Sequence, residues 1–266
     1  MTGATHTVSR ISWRAGSTAE ESDTVVTEVP VALVYNGVSH VVMMATPTDL
    51  EDLALGFSLS EGIIASPGQL LDCELQQRDK GLELQMRVTN ERFAVLKARR
   101  RNLTGRTGCG LCGLESLEQA IPLLSQVHGD YTLSHSALQA AVMGLDQAQI
   151  LKQDTGGVHG ALWCNTNGHI ELVREDVGRH NALDKLLGAM QRGDYSSEGF
   201  VLVTSRASYE MVAKVASCGI PILAAVSAPT SLAIQQAQDC QLTLAGFVQP
   251  GRQVIYTHPQ RIVEDS

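Results

Sequence analysis

Two cysteines in one short run, Cys109 and Cys112, carry the strongest chemical signal in the chain. They sit in Thr107-Gly108-Cys109-Gly110-Leu111-Cys112-Gly113, downstream of Arg99, Arg100, Arg101 and Arg106. Glycine lowers the steric cost of unusual backbone angles, so the run is expected to be an exposed, mobile loop. Nearby positive charge favours thiolate over thiol, and the thiolate is the nucleophile. The pair reads as cysteine built to react.

Several chemistries use such a pair. A structural zinc site needs four ligands, and one Cys-x-x-Cys supplies two. Cys73, Cys164, Cys218 and Cys240 are scattered, and His128 and His135 stand at irregular spacing. Gly108 to Gly113 matches G-x-G-x-x-G literally, but a dinucleotide fingerprint follows an apolar strand, and here arginine and threonine precede it. A thioredoxin-type dithiol wants a βαβ setting that the flanks do not supply. A thiol that carries a group, such as persulfide sulfur, fits the composition of the loop.

Histidines and acids form a second cluster. Glu175-Asp176-Val177-Gly178-Arg179-His180 runs into Asn181-Ala182-Leu183-Asp184-Lys185, and His159 follows a glycine-rich turn. This is either an acid–base site or an ion-pair network fixing a helix to a sheet. Three polar clusters also follow apolar runs: 204–208, 227–231 and 246–252. Hydroxyls, helix starts and an arginine are the parts of a phosphate or nucleotide site, and also of ordinary helix caps.

The elements that must position these residues are legible in outline. The chain has 266 residues, 44% of them hydrophobic, enough for one large or two modest domains. The net charge of −8 argues against a nucleic-acid partner. Six cysteines in this length do not form a disulfide scaffold and fit a reducing compartment. Residues 1–21 lack an apolar signal core, and no apolar run is long enough for a membrane span, so a soluble cytoplasmic protein is expected.

Residues 1–22 read as loosely ordered. Residues 25–35 and 38–44 read as strands joined by Asn36-Gly37, a strong hairpin signal. Thr46 and Pro47 read as N-cap and first residue of a helix reaching Glu61. A second hairpin over 71–88, a helix over 91–101 and a helix over 114–124 follow, the last placing Cys112 near a helix N-terminus. Beyond residue 136, helical and strand patterns alternate, with strands at 170–173, 200–204, 220–226 and 242–248. Such alternation implies a largely parallel sheet. Ligands of such sheets bind beyond the strands' carboxyl ends, where the three polar clusters fall.

These blocks together resemble a known family, the formate dehydrogenase accessory sulfurtransferases (FdhD family). The resemblance rests on Thr107 to Gly113, Thr155-Gly156-Gly157-Val158-His159, Arg174 to Lys185, Ser205-Arg206-Ala207-Ser208-Tyr209-Glu210-Met211-Val212, and Gly219 to Ala233. It implies an α/β fold: an N-terminal α+β, β-rich domain over 1–115 ending in the cysteine loop, and over 116–266 a three-layer α/β/α domain resembling cytidine deaminases without their zinc site. It implies a sulfur carrier. A cysteine desulfurase would load persulfide sulfur on Cys109, with Cys112 its partner. The sulfur would pass to the molybdenum cofactor, bis(molybdopterin guanine dinucleotide), held as bound substrate before insertion into formate dehydrogenase. The guanine nucleotide moiety maps to Phe247, Val248, Gln249, Pro250, Gly251 and Arg252. Gln249-Pro250 stands where many members carry arginine and glycine, and Gly160 where alanine is usual. A homodimer is expected, with no metal, membrane or nucleic-acid partner. A non-catalytic cofactor-binding chaperone and a zinc-dependent deaminase-like hydrolase are the rival readings.

Overall fold

The computed structural model describes residues 3–103 and 123–265. It begins with an ordered hairpin where loosely ordered chain is expected. Strands β1 (Thr5–Arg14) and β2 (Ser17–Val26) pair antiparallel along their whole length. They turn at Ala15 and Gly16, with φ of 49° and 89°, the positive-φ pair that a two-residue hairpin needs. The ribbon buries no face, so its sequence shows no alternation of apolar and polar residues to betray it.

A four-stranded sheet follows, ordered β4-β3-β6-β5. Its strands are β3 (Val29–Tyr35), β4 (Val38–Ala45), β5 (Leu70–Arg78) and β6 (Gly81–Val88). The expected hairpins are both present, and β3 and β6 run parallel at the centre. Val31, Leu33, Tyr35, Leu82, Leu84 and Met86 pack one face of the sheet onto helix α1 (Leu50–Ser60) and onto Leu96 of α2 (Asn90–Leu103). Burying each such side chain contributes about 1.5–3 kcal/mol.

The start of α1 differs from the expected cap. Asp49 precedes the helix at φ 51° and makes no side-chain cap. Thr46 is engaged elsewhere: its backbone N–H donates to Asp176 Oδ2 at 3.0 Å, and its Oγ1 accepts from the Val177 N–H at 3.2 Å. A partner 130 residues away, not the local helix, sets its role.

The third sheet has six strands, ordered β13-β12-β11-β10-β8-β9. They are β8 (His159–Asn165), β9 (Ile170–Asp176), β10 (Gly199–Val203), β11 (Ile222–Ala225), β12 (Thr243–Gln249) and β13 (Arg252–Thr257). Only the β10–β11 and β11–β12 pairs are parallel, while β8 runs antiparallel to β10. The expectation of a largely parallel sheet is therefore corrected to a mixed one. The turns at Asn167-Gly168 and Pro250-Gly251 are too short for a crossover, so β9 and β13 must run antiparallel to the strands before them.

Alternate residues of the central strands face opposite layers, and both layers are filled. Leu162, Phe200, Leu202, Ile222 and Ala224 meet helix α3 (His135–Ala148). Ala161, Trp163, Val201, Val203 and Leu223 meet α5 (Arg179–Met190), α6 (Tyr209–Ser217) and α7 (Ser231–Asp239). The short helix α4 (Ile150–Thr155) leads into β8. A two-residue parallel pair, β7 (Leu133–Ser134) with β14 (Ile262–Val263), ties the chain's end to the start of α3. The fold is thus mixed α/β, with three layers around the six-stranded sheet.

Helices α1 and α5 bring the four-stranded sheet against this body. A Cβ added to Gly56 would lie 1.7 Å from the Asp184 carbonyl oxygen, and one on Gly188 would lie 2.0 Å from that of Asp52. Only glycine lets the two backbones approach this closely.

Candidate functional site

One edge of the six-stranded sheet gathers most of the chemically competent side chains. The carboxyl ends of β10, β11 and β12 meet there with the start of β8 and the end of β9. The three polar clusters read from the sequence are bonded to one another. The Ala207 N–H donates to the Ala228 carbonyl at 3.2 Å, the Thr230 N–H to the Ala207 carbonyl at 3.0 Å, and the Phe247 N–H to the Ser227 carbonyl at 3.1 Å. Thr204 Oγ1 accepts from the Gly160 N–H at 2.9 Å, joining the start of β8 to the row. Capping falls to Thr230, whose Oγ1 accepts from the Ala233 N–H at 3.2 Å, and Ser231 is the first residue of α7. Ser208 precedes α6 without capping it, and its buried hydroxyl has no partner among the described residues.

Residues 247–252 form the turn from β12 to β13. Phe247 adopts φ 50° within a register shift between Gly246 and Gln249, and it is half-buried. The Arg252 guanidinium lies over the Phe247 ring, 5.1 Å from its centre, a cation–π arrangement. Gln139 of α3 accepts from the Gly251 N–H at 2.7 Å and holds the turn. Gln249, Pro250, Gly251 and Arg252 are exposed. Val248 is wholly buried in the core beneath α3, which leaves only its backbone for a ligand.

The 174–185 segment divides between two roles. Asp176 is buried and accepts from the Thr46 and Gly178 N–H groups and from Asn181 Nδ2, while Lys185 Nζ pairs with it at 2.7 Å. Lys185 Nζ also donates to the Thr46 carbonyl at 3.0 Å. One turn further along, Asp184 accepts from Ser60 Oγ at 2.6 Å and pairs with Lys214 at 3.0 Å. Lys214 reaches Glu61 at 2.7 Å as well, and these two acids hold its ammonium protonated against the cost of burial. For these residues the ion-pair alternative is the right one. Arg179 and His180 point the other way, to the sheet edge. Glu210 Oε2 lies 2.9 Å from His180 Nε2 and 3.9 Å from Arg179 Nη2.

His159 and His180 are both held below the ordinary imidazole value. Burial is the main cause for each; Arg179 and Lys152 add to it at His159, while Glu210 partly opposes it at His180. Gly160 accommodates a buried neighbour: a Cβ there would lie 2.2 Å from Gln149 Nε2.

Cys109 and Cys112 lie outside the described residues, as does the helix expected over 114–124. The described thiols are of the opposite kind to a reactive pair. Burial pushes Cys73 and Cys218 up to about 11 and Cys164 up to about 12, so none is a thiolate at neutral pH. Among the described residues no cluster of three or more histidines, cysteines or acids could hold a metal ion. No described helix is long and apolar enough to cross a membrane.

The same chain pattern recurs in known proteins. The sulfur carrier protein FdhD of Cupriavidus necator is 54% identical over 266 residues, covering 100% of this chain and 92% of the relative. Its namesake from Variovorax paradoxus is 52% identical over 250 residues, 94% of this chain and 90% of the relative. A crystal structure described as a formate dehydrogenase accessory protein from Desulfotalea psychrophila superposes with a TM-score of 0.78 at 25% identity, over 98% of this chain and 100% of that one. The family model described as FdhD/NarQ matches residues 26–263. From the second strand of the opening ribbon to the last strand, this chain belongs to the FdhD/NarQ family.

Proposed function

We propose that the protein is a sulfur carrier serving formate dehydrogenase. Cys109 accepts persulfide sulfur from a cysteine desulfurase, and Cys112 supports it. The sulfur then passes to the molybdenum cofactor, bis(molybdopterin guanine dinucleotide), bound as substrate, before that cofactor enters formate dehydrogenase. The sheet edge ending at Phe247 and Arg252 receives a guanine nucleotide moiety of the cofactor. The protein works in the cytoplasm as a homodimer, and its three-layer sheet is of the cytidine-deaminase kind.

The reading is carried by near-full-length identity to proteins named sulfur carriers. The basic, glycine-rich setting of Cys109 supports it, since positive charge favours the sulfur anion. So does the contrast with the four described thiols, buried or half-buried, whose raised pKa values suit them to packing and not to exchange.

Mass spectrometry after incubation with a cysteine desulfurase and cysteine tests it. The wild-type protein gains sulfur on the peptide holding Cys109. Cys109→Ala abolishes that gain, and Cys112→Ala reduces it partly or not at all. Undiminished labelling of Cys109→Ala would refute the assignment.

A further inference from the structure

The corner made by Arg179, His180 and Glu210 has no part in the sulfur chemistry above, yet it is built unlike a surface ion pair. Arg179 and His180 open α5, and Glu210 stands in the first turn of α6. One carboxylate oxygen, Glu210 Oε2, serves both basic side chains, at 2.9 Å from His180 Nε2 and 3.9 Å from Arg179 Nη2. The closer contact is not aligned as a hydrogen bond. Arg179 Nε, His180 Nε2 and Ser208 Oγ are all shut away from solvent without completing one.

A buried polar group left unpaired costs about 1–3 kcal/mol. Among the described residues Arg179 Nε and Ser208 Oγ have no partner at all, and His180 Nε2 has only the misaligned Glu210 carboxylate beside it. Together they mark a place where acceptors are missing. Positive charge is also in excess nearby, since Arg179 and Lys152 both weigh against protonation of His159.

We propose that this corner seats a tetrahedral oxyanion, the diphosphate of the bound nucleotide, and that Glu210 is the resident counter-ion it displaces. The assignment of that anion to a nucleotide rests on the cofactor reading above. A carboxylate offers one oxygen here; a phosphate group offers three, with more charge, and can meet the arginine fork, the imidazole and the Ser208 hydroxyl together. Displacement is cheap, because a partly exposed ion pair is worth only about 0–1 kcal/mol. Glu210, with a side chain 39% exposed, has room to turn outward. The distance suits a nucleotide. Neighbouring strands lie about 4.8 Å apart, so two steps from β12, which carries Phe247, to β10, whose loop ends at Ser208, cover roughly 10 Å. That is of the order of the span from a base to its diphosphate.

Calorimetric titration of the full chain with inorganic pyrophosphate, GDP and guanosine tests the seat. Arg179→Ala weakens pyrophosphate and GDP by about tenfold and leaves guanosine unchanged; Arg179→Lys recovers part of the loss. Glu210→Gln strengthens pyrophosphate binding, because it removes the competing charge. The opposite signs separate a ligand seat from a pair that only holds α5 to α6, whose loss from either side would act in one direction. Changes in the same direction, or none, overturn the seat, as does a wild-type protein that binds no pyrophosphate. The nucleotide reading fails differently. If Arg252→Ala weakens GDP while Arg179→Ala does not, the nucleotide site stands and the seat falls. If pyrophosphate binds through Arg179 as tightly as GDP does, and guanosine does not bind, the seat stands and the base site falls.

Discussion

Asp176 and Arg179 are three residues apart, and the protein uses them in opposite ways. Asp176 and Lys185 are fully buried where α1 and α5 meet, with hydrogen bonds to backbone on either side. Arg179, His180 and Glu210 are about one-third exposed at the sheet edge, with donors left over. The same residue types, acid opposite base, form a joint in one place and an unfinished site in the other. What differs is how fully each group is satisfied. A complete network has nothing left to offer a ligand, whereas an incomplete one does.

The largest expected effect breaks the joint. Lys185→Met leaves Asp176 buried without its cation, which costs about 3–5 kcal/mol. Arg179→Ala, at the edge, costs under about 1 kcal/mol. Urea unfolding of both variants measures the contrast. If the two lose equal stability, the division into joint and site is wrong.

A smaller effect comes from the helix crossing. Gly188→Ala pushes a methyl group into the Asp52 carbonyl, and overpacking of this kind costs about 1–3 kcal/mol. Gly156, which ends α4 beside the edge, has open space around it and φ of 67°. There alanine meets only the strain of a left-handed backbone, about 1 kcal/mol. Thermal unfolding followed by circular dichroism should therefore rank Gly188→Ala as the more damaging. The reverse order would mean that α1 and α5 separate easily to admit the methyl group.

Much of this was legible in the residues. Asn36-Gly37 and Asn167-Gly168 marked their hairpins, and the apolar run from Ile220 to Val226 marked the strand covered on both faces. The opening ribbon was not legible, because a ladder with no buried face leaves no periodic trace. The start of α1 was misplaced because Thr46, a good cap by type, answers to Asp176 across the joint. The division of 174–185 did have a signal. Asn181, Asp184, Lys185 and Gly188 stand at i, i+3, i+4 and i+7, the spacing of a buried helix stripe. It was masked because polar residues and a glycine occupy that stripe. Glu210 and Lys214 repeat the i, i+4 spacing on α6, facing His180 and Asp184, but only the fold reveals the pairing. Cys109 and Cys112 stand out by composition and motif, and both lie outside the described residues.

The smallest predicted effect sharpens the comparison through pH. His159 and His180 are held below the ordinary imidazole value, mainly by burial. The unfolded chain takes up protons near the ordinary value of about 6.5, and the folded protein only at lower pH. Between those two values the unfolded state binds more protons, so stability falls as pH falls through that window, and above it the contribution is constant. Replacing both histidines with glutamine should flatten the decline in urea midpoint between about pH 7.5 and 5.5, by no more than one proton's slope for each. At His180 the sign also probes Glu210, which favours protonation and partly offsets the burial. Glu210→Gln should steepen the wild-type decline, since it removes the stronger of the two acids that favour protonation, leaving Asp184 against the cations Arg179 and Lys214. A slope unchanged by all three substitutions would mean that neither imidazole is shielded in solution. The edge would then be an ordinary hydrated surface, and its contrast with the joint would lose its electrostatic half.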